Sequence, residues 1–451
     1  MCGAFATVYL KNSRVSFSPP LILVFKQESC YFFVMKMWAG QTGISLSGRE
    51  YIILALLACM HFFAVFLLMG RNLDFLFNDA VHRLGPGTDF AAYYTAGKYW
   101  LESKDIYALG AGYGYRYHPL FAQSILSLIS ILDKNTAYFL WVVVNETMLF
   151  AAVLLFSRIF DNGRKFLVAS ALALLSSPYL LETYMGNSSF IVAVIMLWAF
   201  YFYSGNSFIR FSILTTASII IKPAGLVFLP ILVFRKQYWM ASGIFLLVII
   251  STVPYFVLNP ASFDMFITKN MFDLDIPGSL VHAGNQGFHC LIADISTRLA
   301  GIKTNELGSF SQLPLFPRLL LMALPFIFIA LSAWQNYRLK DNLSATVFVW
   351  SATYLLGYKE VWEHSYSFAV ISFVHLYLAD ILNRKTVLIC AAGMALPSLF
   401  IFYDFPGLKP PVDPEHFWST GVSMLHHVTK PVWIIIPYAA VLMKSIRKPA
   451  S

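Results

Sequence analysis

The sequence predicts an all-α, polytopic membrane protein of about twelve transmembrane helices, with an amphipathic helix in its first external loop. Three observations carry this. The 451 residues are 58% hydrophobic and only 12% charged, with a mean hydropathy of +0.65, whereas a soluble domain carries roughly 25% charged residues. The apolar residues come in blocks near the length a helix needs to cross a bilayer, not in the alternating short segments of an outer-membrane barrel. Basic residues gather in alternate loops between the blocks, which is the positive-inside pattern.

Residues 1–50 read as an N-terminal cytoplasmic segment, broken by Ser, Pro and Lys, in which Met35 and Met37 offer later starts. A membrane domain over 51–446 follows, with a short cytoplasmic tail at 447–451. The first apolar run is 51–69, and an external segment over 70–116 carries Asp79, His82, Arg83, Asp89 and Asp105. The stretch 117–132 is short for a crossing and is read as re-entrant or interfacial. Further spans are expected at 136–158, 166–181, 189–204, 211–221 with 223–234 as two arms broken at Lys222-Pro223, 239–258, 315–334, 343–357, 364–382, 386–403 and 431–446. Both termini then lie inside. The cytoplasmic loops hold Arg158, Arg164, Lys165, Arg210, Arg235, Lys236, Arg338, Lys340, Arg384, Lys385, Lys444, Arg447 and Lys448 against Asp161 and Asp341. Most other acids, and nearly all the histidines, fall on the outer side, so function is sought there.

The net charge of +9 is dispersed over these loops. It reads as a topology signal, and no nucleic-acid partner is expected. Cys2, Cys30, Cys59, Cys290 and Cys390 have no paired spacing, so neither a disulfide framework nor a zinc site is implied. No internal repeat or low-complexity tract occurs.

Asp89 opens a segment in which Phe90, Tyr93, Tyr94, Gly97, Trp100 and Leu101 recur at helical spacing, giving an aromatic face fit to lie on the lipid interface. One reading makes Thr88 or Asp89 a helix cap; another simply places an acid where lipid and water meet. Gly186-Asn187-Ser188 and Asn285-Gln286-Gly287-Phe288-His289 read as turns or as site residues. Lys222 is a snorkelling lysine at a helix break or a cation for substrate. Lys359-Glu360-Val361-Trp362-Glu363-His364 is a wet loop or part of the same site. Glu146, within a span, is a functional candidate or an interhelical hydrogen-bonding group.

An acid followed by Tyr93-Tyr94 and a small residue, then Ile106-Tyr107, resembles the first external loop of glycosyltransferase family 87 (the DUF2029 family), polyprenol-phosphate-mannose-dependent enzymes of GT-C type. A Gly-Asn turn at 186–187 where glutamine is usual, Lys222-Pro223 with Arg235-Lys236 beyond it, Asn285-Gln286 and Trp362-x-His364 follow in the family's order. The resemblance covers roughly 70–440. It implies a GT-C fold and an inverting transfer of a hexose, mannose above all. The donor is a polyprenyl phosphate in the plasma membrane, and the acceptor is a lipid-linked or cell-envelope glycan on the outer face. It assigns catalysis to Asp89. Such chemistry needs a base for the acceptor hydroxyl, Asp89 or His364, and cations for the departing phosphate, for which Lys222, Lys359, Arg116 and His289 are candidates. Tyr93, Tyr94, Asn187, Asn285 and Gln286 are the expected substrate-binding residues. Neither metal nor cofactor is implied, Asp273-x-Asp275 being in a different loop from Asp89. The competing function is a transporter or flippase of a lipid-linked sugar, for which internal repeats and mid-bilayer charges would be expected.

Overall fold

The computed structural model describes residues 46–72, 86–108, 114–267, 285–302, 312–398 and 422–447. The N-terminal unit 1–45, with its alternative starts, lies outside them, as do Asp79, His82, Arg83, Asp273, Asp275 and Lys448. Among the described residues the chain is helical, and its one β-type pairing is an antiparallel bridge between Asn285 and Trp362.

Four helices are long and apolar enough to cross a membrane by themselves: α1 (Gly48–Met69), α4 (Lys134–Ile159), α10 (Tyr238–Leu258) and α13 (Leu315–Arg338). Helices α5 (Gly163–Leu174) and α6 (Ser177–Met185) make a fifth if counted as one span bent by 41°. The other expected spans are shorter helices, among them α7 (Ser189–Ser204), α8 (Phe208–Ile221), α14 (Leu343–Gly357) and α15 (Ser367–Ala379). Their shortness has local causes. Pro178 opens α6 after a break at Ser176, and Pro223 converts the chain after α8 into a 3-10 turn over Pro223–Val227. A short α9 (Phe228–Phe234) completes that arm.

Contacts between loops keep to the two sets that charge asymmetry separates. Arg235 donates to the Lys340 carbonyl at 2.7 Å and Arg338 to that of Ser445 at 3.2 Å, joining loops assigned to one side. Arg116 meets Glu360 at 3.2 Å and Asp105 accepts from Ser262 at 2.6 Å, joining loops assigned to the other.

Helix α2 (Thr88–Leu101) departs from expectation. Most of its aromatic face packs against protein: Phe90 and Tyr93 are buried against Tyr138, Trp141 and Phe121, while Trp100 and Leu101 near its end are exposed. Beside it lies α3 (Pro119–Ile129), a short helix with a π turn over Ala122–Leu126. Two bonds lock the pair, Tyr94 Oη to the Leu132 carbonyl at 2.9 Å and Ser130 Oγ to the Tyr94 carbonyl at 2.8 Å. The contact is closest at Gly97, where an added Cβ would stand 2.4 Å from the Leu126 carbonyl oxygen. Backbone cannot step aside as a flexible side chain can, so Gly97→Ala is expected to cost about 1–3 kcal/mol. A lowered melting temperature of the detergent-solubilised protein checks it.

Among the candidate spans Glu146 joins three helices. It meets His61 Nε2 of α1 at 2.8 Å and accepts from Tyr179 of α6 at 2.9 Å, while His61 Nδ1 meets the Leu174 carbonyl at 2.7 Å. Glu146 is thus an interhelical hydrogen-bonding group, the second of its two readings.

Candidate active site

The helix bearing Asp89 is capped by something else. Gly87, in the left-handed region at φ 71, holds the N-cap position without a side-chain bond, and its amide donates to the Tyr184 carbonyl at 2.7 Å. The Asp89 carboxylate is directed instead at Asn187, whose Nδ2 donates to Oδ2 at 2.7 Å. Capping therefore does not account for Asp89.

Asn187 is placed by the end of α6. Gly186 takes the left-handed conformation at φ 72 that commonly ends a helix, and its amide and that of Asn187 both donate to the Glu182 carbonyl, at 2.8 and 3.1 Å. A Cβ at Gly186 would stand 2.6 Å from Phe90 Cβ, so only glycine lets this turn close onto the first turn of α2. Trp141 Nε1 fixes the Asn187 carbonyl at 3.2 Å.

Lys222 arrives by a different rule. The residue before proline is excluded from the helical region, and Lys222, before Pro223, is extended at φ −158, ψ 142. Its ammonium reaches Asn187 Oδ1 at 3.0 Å and Ser189 Oγ at 2.5 Å. The Asn187 amide thus stands between cation and carboxylate, accepting from one and donating to the other.

His364 sits in a 3-10 turn, Glu363–Tyr366, with Nε2 3.7 Å from Asp89 Oδ2. The turn is anchored from several directions. Asn285 Oδ1 accepts the Val361 amide at 3.1 Å, Asn285 Nδ2 donates to the Lys359 carbonyl at 3.1 Å, and Tyr366 Oη donates to the Gln286 carbonyl at 2.8 Å. Glu363 accepts from Ser177 and from the Ser398 amide, each at 3.1 Å, and pairs with buried Lys430 at 3.4 Å.

The structure therefore brings together Asp89, Asn187, Lys222 and His364, from positions that span most of the chain. Tyr93 adjoins them through its hydroxyl, 3.0 Å from Ser188 Oγ. Arg116 and Lys359 form a second group around Glu360, at 3.2 and 3.9 Å. Tyr117 links the two groups, its ring 5.1 Å from that of Tyr93 and its hydroxyl within electrostatic reach of both Asp89 and Arg116.

Other expected site residues act elsewhere. Tyr94 is engaged by Leu132, and the side chains of Asn285 and Gln286 face Lys359, Val361 and His426, not Asp89. His289, expected as a phosphate cation, is held down to about 4 by burial and is neutral. Its Nδ1 is buried without a hydrogen-bond partner among the described residues. Nearby, Pro325 inside α13 has no amide to offer the Leu321 carbonyl four residues earlier.

Sequence reasoning missed Glu182, Ser189 and Tyr117. Glu182 left a signal, being the only charged residue between Lys165 and Arg210. Ser189 and Tyr117 left none beyond their neighbours.

The electrostatics suit a proton acceptor. Burial holds the Asp89 carboxyl above the usual aspartate range, while the Asn187 bond and the Lys222 ammonium pull it partly back. Oδ2 is engaged, Oδ1 takes no hydrogen bond from the described residues, and the side chain stays 20% exposed. An oxygen with an open side, a lysine ammonium one amide away and a histidine beside it can accept a proton and steady a developing anion.

Among curated proteins no sequence matches the chain. The profile of glycosyltransferase family 87 matches residues 115–357, just over half of the length, from Tyr115 to the last residue of α14 and so across Asn187, Lys222 and Asn285. Asp89 and His364 flank the matched region on either side. The chain belongs to glycosyltransferase family 87.

Proposed function

We propose that the chain is an integral membrane hexosyltransferase that moves mannose from a polyprenyl phosphate to a lipid-linked or cell-envelope glycan, with inversion, at the outer face of the plasma membrane. The observation that carries this is the pairing of an open Asp89 oxygen with a Lys222 ammonium across the Asn187 amide. The acceptor hydroxyl oxygen attacks the anomeric carbon from the face opposite the phosphate, and its proton passes to Asp89. The bond from the anomeric carbon to the phosphate oxygen breaks, and its electron pair leaves with the polyprenyl phosphate. Lys222 offsets the charge that grows there. Arg116 and Lys359, around Glu360, serve the donor phosphate or its entry, and His364 serves as neighbour to the base. Tyr93 and Asn187 line the sugar side. No metal or cofactor takes part.

Purified protein incubated with radiolabelled polyprenyl-phosphate-mannose and total envelope lipid extract is expected to pass label into a glycolipid or glycan. Movement of intact donor across a vesicle, without transfer, would favour the transporter reading instead.

The base must be deprotonated to act, so transfer is lost as pH falls through the Asp89 pKa. Burial raises that pKa, so the acid limb of kcat/KM against pH should lie above the usual aspartate value of about 3.9. Asn187→Ala removes a bond that favours the carboxylate and should move the limb to higher pH.

Topology is read separately. A single cysteine placed at exposed Glu102, in the outer segment, should react with an impermeant thiol reagent in intact cells and one at Arg235 should not. Labelling at 235 would reverse the assigned sides.

A further inference from the structure

None of the transfer chemistry above uses Glu182, yet it is buried completely and tied on all sides. Its carbonyl holds the Gly186 and Asn187 amides. Its Oε1 accepts the Phe190 amide in the first turn of α7 at 2.6 Å, and its Oε2 accepts the Ser367 hydroxyl at the start of α15. Ser367 directly follows the turn that holds His364. One side chain thus joins the Asn187 turn to the His364 turn.

Hydrogen bonds alone do not explain a carboxylate here, since a buried anion needs a counter-charge. The charged groups in reach of Glu182 are Lys222 and Asp89. Those facing Lys222 are Glu182 and Asp89, with His364 also in range. Lys222 therefore lies within electrostatic reach of two carboxylates, and the geometry agrees: its ammonium is bonded to Ser189, the residue next to the Phe190 amide that Glu182 accepts.

We propose that Glu182 is a positioning residue: a buried carboxylate beside Lys222 that keeps its ammonium charged for a phosphate, while its hydrogen bonds set the spacing of Asn187 and His364. The phosphate role rests on the transfer reading; the charge pairing does not.

The test uses the amine directly. Wild-type protein and Glu182→Gln, purified in detergent, are treated with acetic anhydride across neutral to mildly alkaline pH, and acetylation of Lys222 is followed by mass spectrometry. Glutamine keeps an acceptor for the Phe190 amide and a partner for the Ser367 hydroxyl but removes the charge. Lys222 should then be acetylated several-fold faster at equal pH, with exposed Lys98 unchanged and the melting temperature close to wild type. A hydrogen-bonding role alone would leave the rate unmoved, and an unmoved rate overturns the proposal. Should Glu182→Gln fail to fold, adding Lys222→Met restores folding, because the stranded ammonium goes with it; failure of the double variant overturns the proposal too. Faster acetylation in a protein that transfers no mannose would sink the transfer reading and leave the pairing standing.

Discussion

Asp89→Asn is expected to lower mannosyl transfer by roughly 100-fold to 10,000-fold at an unchanged melting temperature. Asparagine fills the same space and can present its carbonyl oxygen to Asn187 Nδ2, so the bond now made at 2.7 Å survives. What is lost is the ability to take a proton. A residue that only capped α2 would predict near-normal activity, since asparagine caps about as well as aspartate. Gly87 already holds the cap position without any side-chain bond, so little helix stability is at stake. Asp89→Ala should be as inactive as Asp89→Asn. An active Asp89→Asn enzyme would pass the base to His364.

Lys222→Ala should lower the rate roughly 100-fold to 1,000-fold, the usual cost of losing one group that stabilises a developing anion. The apparent KM for the lipid donor should rise as well, because the phosphate is anionic before the bond breaks. Steady-state kinetics with the donor varied separates the two effects. The same substitution at Lys359 or Arg116 should have the smaller effect, because each already pairs with Glu360. Unchanged donor use by Lys222→Ala would move the phosphate to that pair.

Much of this site was legible in the sequence, and the limits were physical. Asp89, Asn187, Lys222 and His364 could be named because each interrupts an apolar context: a carboxylate at the head of an aromatic helix, an amide after a turn glycine, a lysine before a proline, a histidine between spans. Their convergence came from the family's order of motifs, not from spacing, since periodicity is local and these residues are not. The same locality limited the reading of α2, whose aromatic stripe was real but whose first half packs on Trp141. Glu182 was passed over because its place at the end of an apolar run looked like a loop boundary, whereas α6 continues to Met185. The count of spans suffered from breaks. Hydropathy sums over Ser176 and Pro223, but the backbone turns there.

Pro325 leaves the Leu321 carbonyl of α13 without its helical donor, and the buried His289 of the neighbouring segment keeps its Nδ1 unpaired among the described residues. Neither position therefore leans on the other. Among homologous chains a residue bearing an amide can replace the proline and close the helix by itself, with no matching exchange at the histidine.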